Sequence, residues 1–165
     1  MKRILIALAV LLSVQVADAQ TKSPEAAKKA VESAEAASKD AKKAAKVATW
    51  TKLASAYMDA YNAPAGNVWL GASKQELQLL MGNDKPISTE EVVIGGDQLV
   101  KEVYSNKEFY FSPAGQLVLI NVTKPVVENA LAGALDAYKK AYEVDVKQSK
   151  TKDIVTGLST IAQKY

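Results

Sequence analysis

Apolar positions along the chain change their period as the sequence advances. Val47, Trp50, Leu53, Ala54, Tyr57, Met58 and Tyr61 recur at spacings of three and four, a wide stripe on one face of a helix. Asn62-Ala63-Pro64-Ala65-Gly66 stops that helix, because Pro and Gly punctuate helical runs. Upstream, Ser23 suits an N-cap, Pro24 the first helical position and Glu25 the positive end of the helix dipole. These signals predict a thin, Ala- and Lys-rich outer helix from Pro24 to Ala37, whose one large aliphatic residue is Val31. Ser38-Lys39-Asp40 breaks it. A capping box, Ser73-Lys74-Gln75-Glu76, opens a short helix over Lys74 to Met81, with Gly82 ending it.

After Pro86 the pattern becomes that of strands. Residues 90–94 and 97–104 flank Gly95-Gly96, and residues 108–111 and 116–122 flank Ser112-Pro113-Ala114-Gly115, which predicts two hairpins. Leu117 to Ile120 is apolar on both alternations, the signature of a central strand. Helical spacing returns at Thr123-Lys124-Pro125 and runs to Val144, with Val127, Leu131, Ala134, Leu135, Tyr138, Ala141 and Tyr142 as its buried stripe. A polar connection at Lys147 to Lys152 leads to a last helix carrying Ile154, Val155, Leu158, Ile161, Ala162 and Tyr165. The expected fold class is α+β: one domain over residues 20–165, with helices and a three- to four-stranded antiparallel β-meander inserted between about residues 62 and 123.

The first nineteen residues stand apart from this pattern. Lys2 and Arg3 precede an apolar run from Ile4 to Leu12, and Ala17-Asp18-Ala19 fits a small-x-small cleavage site. The run falls short of the roughly 20 apolar residues of a membrane-spanning helix. It reads as a signal peptide cleaved after Ala19, which makes the protein exported, periplasmic or secreted, with no stable membrane insertion after cleavage.

Composition narrows the chemistry. The chain is 48% hydrophobic and 24% charged, and it contains neither Cys nor His. Thiol nucleophiles, disulfides, zinc sites and His-based proton transfer are thereby excluded. A net charge of +3, without aromatics interleaved among the lysines, gives no nucleic-acid surface. Carboxylates are the remaining acid–base groups. Glu90 and Glu91 are strand neighbours pointing to opposite faces, Glu143 and Asp145 are expected in water at a helix end, and Asp136 lies on a polar helix face. Gly66 to Ser73 lacks the residues of a phosphate or dinucleotide loop and reads as a connection with Trp69 tucked into the core. No catalytic residue, metal ligand or cofactor is expected.

Trp50, Leu53, Ala54 and Tyr57 match the first-helix signature of a tetratricopeptide repeat, with Ala in the small-residue slot. Residues 134–146 are similar to the second helix: Ala134, Tyr138 in the Phe slot, Ala141, and Val146 where Pro is usual. The register set by Trp50 would place the second-helix Ala at position 66, yet it stands at 134, 68 residues later. The chain thus resembles a tetratricopeptide-repeat hairpin split by the β-meander. Together with the signal peptide and the absence of catalytic constellations, that resemblance implies a non-enzymatic, exported scaffold that binds other proteins or peptides, with further helical repeats possible beyond residue 165. Tyr57, Tyr61, Tyr138 and Tyr142 read by default as core packing, and a groove formed by Trp50 with these four tyrosines is the functional alternative. From another class, the alternative is a periplasmic carrier of a small molecule or lipid, its pocket between the sheet and the Trp50 and Tyr138 helices. A third reading is an enzyme using carboxylates and tyrosines.

Overall fold

A computed structural model describes residues 21–164, so the expected signal peptide and Tyr165 lie outside the described residues. The fold class is α+β, with six helices and one four-stranded antiparallel sheet among the described residues. The elements in chain order are α1 Pro24–Lys39, α2 Ala41–Ala44, α3 Val47–Asn62, α4 Lys74–Met81, β1 Ser88–Ile94, β2 Asp97–Val103, β3 Lys107–Phe111, β4 Leu117–Val122, α5 Ala130–Val144 and α6 Thr151–Ala162.

Local chemistry sets most of these boundaries. Ser23 Oγ accepts from the Ala26 N–H at 3.3 Å and Pro24 opens α1. Asp40 then breaks the chain and caps α2, its carboxylate accepting from the N–H groups of Lys42 and Lys43 at 3.0 Å each. The Trp50 indole N–H donates to the Ala44 carbonyl at 2.7 Å, pinning this one-turn helix onto α3. The Ser73–Glu76 capping box is formed in both directions at the start of α4. Gly95 and Gly96 take φ of +63° and +94° between β1 and β2, angles that glycine adopts without the Cβ clash other residues meet.

Two hydrophobic clusters form. The first is helical: Leu53, Ala54, Ala56 and Ala60 of α3 meet Ala134, Ala137, Tyr138 and Ala141 of α5, with Ala27, Val31 and Ala34 of α1 on one flank and Ile154 and Ile161 of α6 on the other. The series runs α1, α3, α5, α6, each packed on the next. Gly133 faces the Tyr57 ring, while Ala130 shares a groove with Tyr61, so α3 and α5 run antiparallel. The second cluster belongs to the sheet and α4: Phe109, Phe111, Leu117, Tyr104 and Leu77 are buried together with Ala72. Each large apolar side chain buried in this way contributes about 1.5–3 kcal/mol relative to exposure.

Three expectations are corrected here. The helix expected from Pro125 begins at Ala130, because Asn129 sits at φ +54°, a left-handed conformation no α-helix can contain. Val126 and Val127 instead pack on the helical cluster from an irregular segment. β4 is an edge strand, not a central one: the order is β1-β2-β3-β4, and a bulge between Tyr110 and Phe111 disturbs its pairing with β3. Trp69 is 48% exposed rather than tucked into the core, because Gly71 to Ser73 are drawn against the start of β4 and leave its indole outside.

Candidate interaction grooves

Two recesses flank the helical series. One is a furrow of about 460 Å³ between α3 and α6, floored by Tyr138 of the intervening α5. Polar side chains stand on both walls, Ser55, Asp59 and Asn62 on α3 and Lys152, Asp153 and Thr156 on α6, around apolar surface that includes Met58. The ring of Tyr138 reaches into the furrow over Gly157, where an added Cβ would collide with it. The other recess is a groove of about 710 Å³ between β4 and the ends of the helices, lined by Tyr61, Val68, Leu70, Leu119, Val127 and Leu131 among others.

The five sequence-predicted groove residues are dispersed rather than gathered. Trp50 packs on the helical cluster with its N–H spent on Ala44. Tyr57 is partly buried and its hydroxyl donates to the Glu35 carboxylate of α1. Burial, that hydrogen bond and the charge of Glu35 push the Tyr57 hydroxyl up to about 12. Tyr61, 38% exposed, lines the groove beside β4, where the Lys164 ammonium lies 5.5 Å from its ring centroid. Tyr138 floors the furrow. Tyr142 is 62% exposed and lines neither recess.

Several working residues carried weaker signals in the sequence. Asp145, expected in water, is buried: its carboxylate accepts from the N–H groups of Ser149 and Lys150 at 2.9 Å each, and from the Ser149 and Thr151 hydroxyls. Burial opposes its ionisation, but these hydrogen bonds outweigh burial and hold the carboxyl below its ordinary value. The polar run Asp145 to Thr151 ahead of an apolar stripe was the available clue to this cap. Lys107 is also buried, paired with Asp84 at 2.8 Å and lying over the Tyr104 and Phe109 rings. Nothing local marks it, since it lies in a strand sequence that reads as half-exposed. Gly133 and Gly157, isolated in helical patterns, were readable as packing positions.

The polar network of the sheet is built from carboxylates, lysines and tyrosines. Lys101 pairs with Glu90 at 3.0 Å, Tyr110 and Asn121 both donate to Glu108 at 2.8 Å, and the row crosses all four strands. On the opposite face Lys74 pairs with Glu102 at 2.7 Å, and the Tyr104 hydroxyl donates to the same carboxylate at 3.0 Å. Glu90 and Glu91 point to opposite faces, and Asp136 is exposed beside Lys139. Among the described residues no group of His, Cys, Asp or Glu is placed to hold a metal ion, and no helix is long and apolar enough to cross a membrane. Comparison with known proteins finds no match for this chain among family models, curated sequences or solved structures.

Proposed function

We propose that this protein is an exported, non-enzymatic module that binds other proteins or peptides through a tetratricopeptide-like helical surface. The observation carrying the reading is the α3–α6 furrow. Hydrogen-bonding side chains on both walls, over an aromatic floor, offer the mixture of polar and apolar contacts that a peptide presents. The serial packing of α1, α3, α5 and α6 supports the resemblance, with α3 and α5 as the two helices of a hairpin opened by the sheet. The experiment is Ser55→Arg combined with Thr156→Arg, two exposed-wall substitutions that fill the furrow. Proteins cross-linked to the wild type in its native compartment should be lost from the double variant while helical circular dichroism is unchanged. Undiminished capture by the folded variant would remove the furrow from the reading. Export is checked separately by N-terminal sequencing of the mature protein, expected to begin at Gln20.

A carrier function is the second reading, favoured by the groove beside β4, whose exposed lining is largely apolar. Thermal-shift screening of small apolar metabolites and lipids would support it through an unambiguous hit accompanied by no protein partner.

A further inference from the structure

The two edges of the sheet are built differently. β1 carries Glu90 and Glu91, charges of the kind that keep an edge from pairing with another chain. β4 carries neither a charge nor a proline. Leu117 and Ile120 serve the sheet's own core, while Val118 and Leu119 remain 43% and 42% exposed. A strand with the composition of a covered, doubly flanked strand therefore has a neighbour on one side along most of its length.

The chain itself begins to fill the other side and then leaves. Gly71 N–H donates to the Leu117 carbonyl at 2.7 Å, Leu117 N–H donates to the Ala72 carbonyl at 2.8 Å, and Ser73 bridges to Gln116. Leu70 and Trp69 then turn outward, both exposed. The alternation of an antiparallel ladder decides what remains open. Thr123 N–H donates inward to the Asn106 carbonyl at 3.0 Å, so Asn121 faces β3 while the backbone groups of Ile120 and Val122 face outward. Among the described residues those outward groups have no partner. The groove of about 710 Å³ runs along this stretch, and among the described residues Lys164 is the one charged side chain in its lining.

We propose that an extended segment of another protein, apolar at alternate residues and neutral or acidic rather than basic, adds to β4 as a fifth strand in this groove. The inference rests on the protein-binding reading and adds to it a surface separate from the furrow. The incoming backbone supplies partners for Ile120 and Val122, alternate side chains enter the wall formed by Tyr61, Leu70, Val127 and Leu131, and Lys164 attracts a carboxylate. An acyl chain would fill the same volume but leave those backbone groups unpaired.

The test selects binders to the whole protein from a random peptide library with free C termini, and follows them by amide hydrogen exchange. Selected peptides should alternate apolar residues and slow exchange at Ile120 and Val122. N-methylation of alternate peptide amides should weaken binding by about tenfold or more, without touching the protein. Val122→Pro should do the same. Its N–H lies outside the internal ladder, so the sheet survives, which the amide spectrum verifies. Lys164→Gln should weaken acidic peptides and spare neutral ones. Peptides that instead protect α3 and α6, or that tolerate N-methylation, overturn strand addition and leave the protein-binding reading standing. A library that yields no binder overturns both. Protection of Ile120 and Val122 by a lysophospholipid alone assigns the groove to a lipid and overturns the proposal. Concentration-dependent dimerisation abolished by Val122→Pro overturns it in favour of a second copy of this chain.

Discussion

Three tyrosines in this protein share one arrangement: Tyr57, Tyr104 and Tyr110 each donate a hydroxyl to a glutamate, respectively Glu35, Glu102 and Glu108. In each case burial and the neighbouring carboxylate raise the phenol above its ordinary value. A folded-state value above the unfolded one means that the neutral hydroxyl favours the native state. For Tyr57 that contribution is complete below pH 10.0 and is lost as pH rises through about 12. Tyr57→Phe should therefore flatten the fall in stability above pH 10.0, measured by urea unfolding across the alkaline range, while costing about 1 kcal/mol at neutral pH. Asp145 works in the opposite direction. Its carboxyl lies below the ordinary value, so its contribution is present above that value and disappears as pH falls through the folded one. Asp145→Ala should lower the melting temperature at neutral pH and differ little from wild type at strongly acidic pH. Gly133 adds a steric case. A Cβ there would lie 2.8 Å from Cζ of Tyr57, a ring held in place by Glu35. Alanine in a helix normally gains about 1 kcal/mol over glycine. Here overpacking of about 1–3 kcal/mol should offset or exceed that gain, so Gly133→Ala is expected to show no stabilisation or a net loss in thermal unfolding.

Elements were legible in the sequence where a local rule fixes them. The Ser23 and Ser73 caps, the Gly95-Gly96 turn and the three-four spacing of α3 are local, and the structure places them where the chain reads them. The misread elements are those whose state depends on residues far away. Two faces of apolar residues on β4 indicate a covered strand, but they do not say whether the cover belongs to this chain. The start of α5 was misplaced because Pro125 satisfies a first-turn rule, whereas Asn129, four residues on, takes the left-handed conformation that delays the helix. The candidate site was legible only in part: Tyr61 and Tyr138 line recesses, Tyr57 and Trp50 hold elements together, and Tyr142 does neither. Lys107 belongs to the illegible remainder, since its burial is created by Asp84, Tyr104 and Phe109 from outside its strand or across its face. Removing the partner should be worse than replacing the ion. Asp84→Asn leaves the buried ammonium with a weaker acceptor and is expected to cost about 1–3 kcal/mol in urea unfolding, more than Lys107→Met, which keeps the apolar packing.

At the scale of the molecule the decisive fact is that the helices and the sheet bury separate clusters. The chain passes between them twice, at Ala63 to Asn67 and at Thr123 to Asn129, and the larger groove lies at that junction. The ends of α3 and α5 already lie together, since Tyr61 and Ala130 line the same groove, so the helical hairpin does not need the sheet to close it. A segment of this size with its own small core is marginal by itself. The sheet should consequently open at lower denaturant concentration than the helical series. The two tryptophans report the two parts: Trp50 packs in the helical cluster and Trp69 lies in the inserted segment. In urea titrations, Trp50→Phe leaves a fluorescence signal from the inserted segment, and Trp69→Phe leaves one from the helices. The first midpoint is expected below the second, with helical circular dichroism following the second. Coincident midpoints would instead make the sheet and helices one cooperative unit, and the opened hairpin would then depend on its insert for stability as well as for the strand edge it presents.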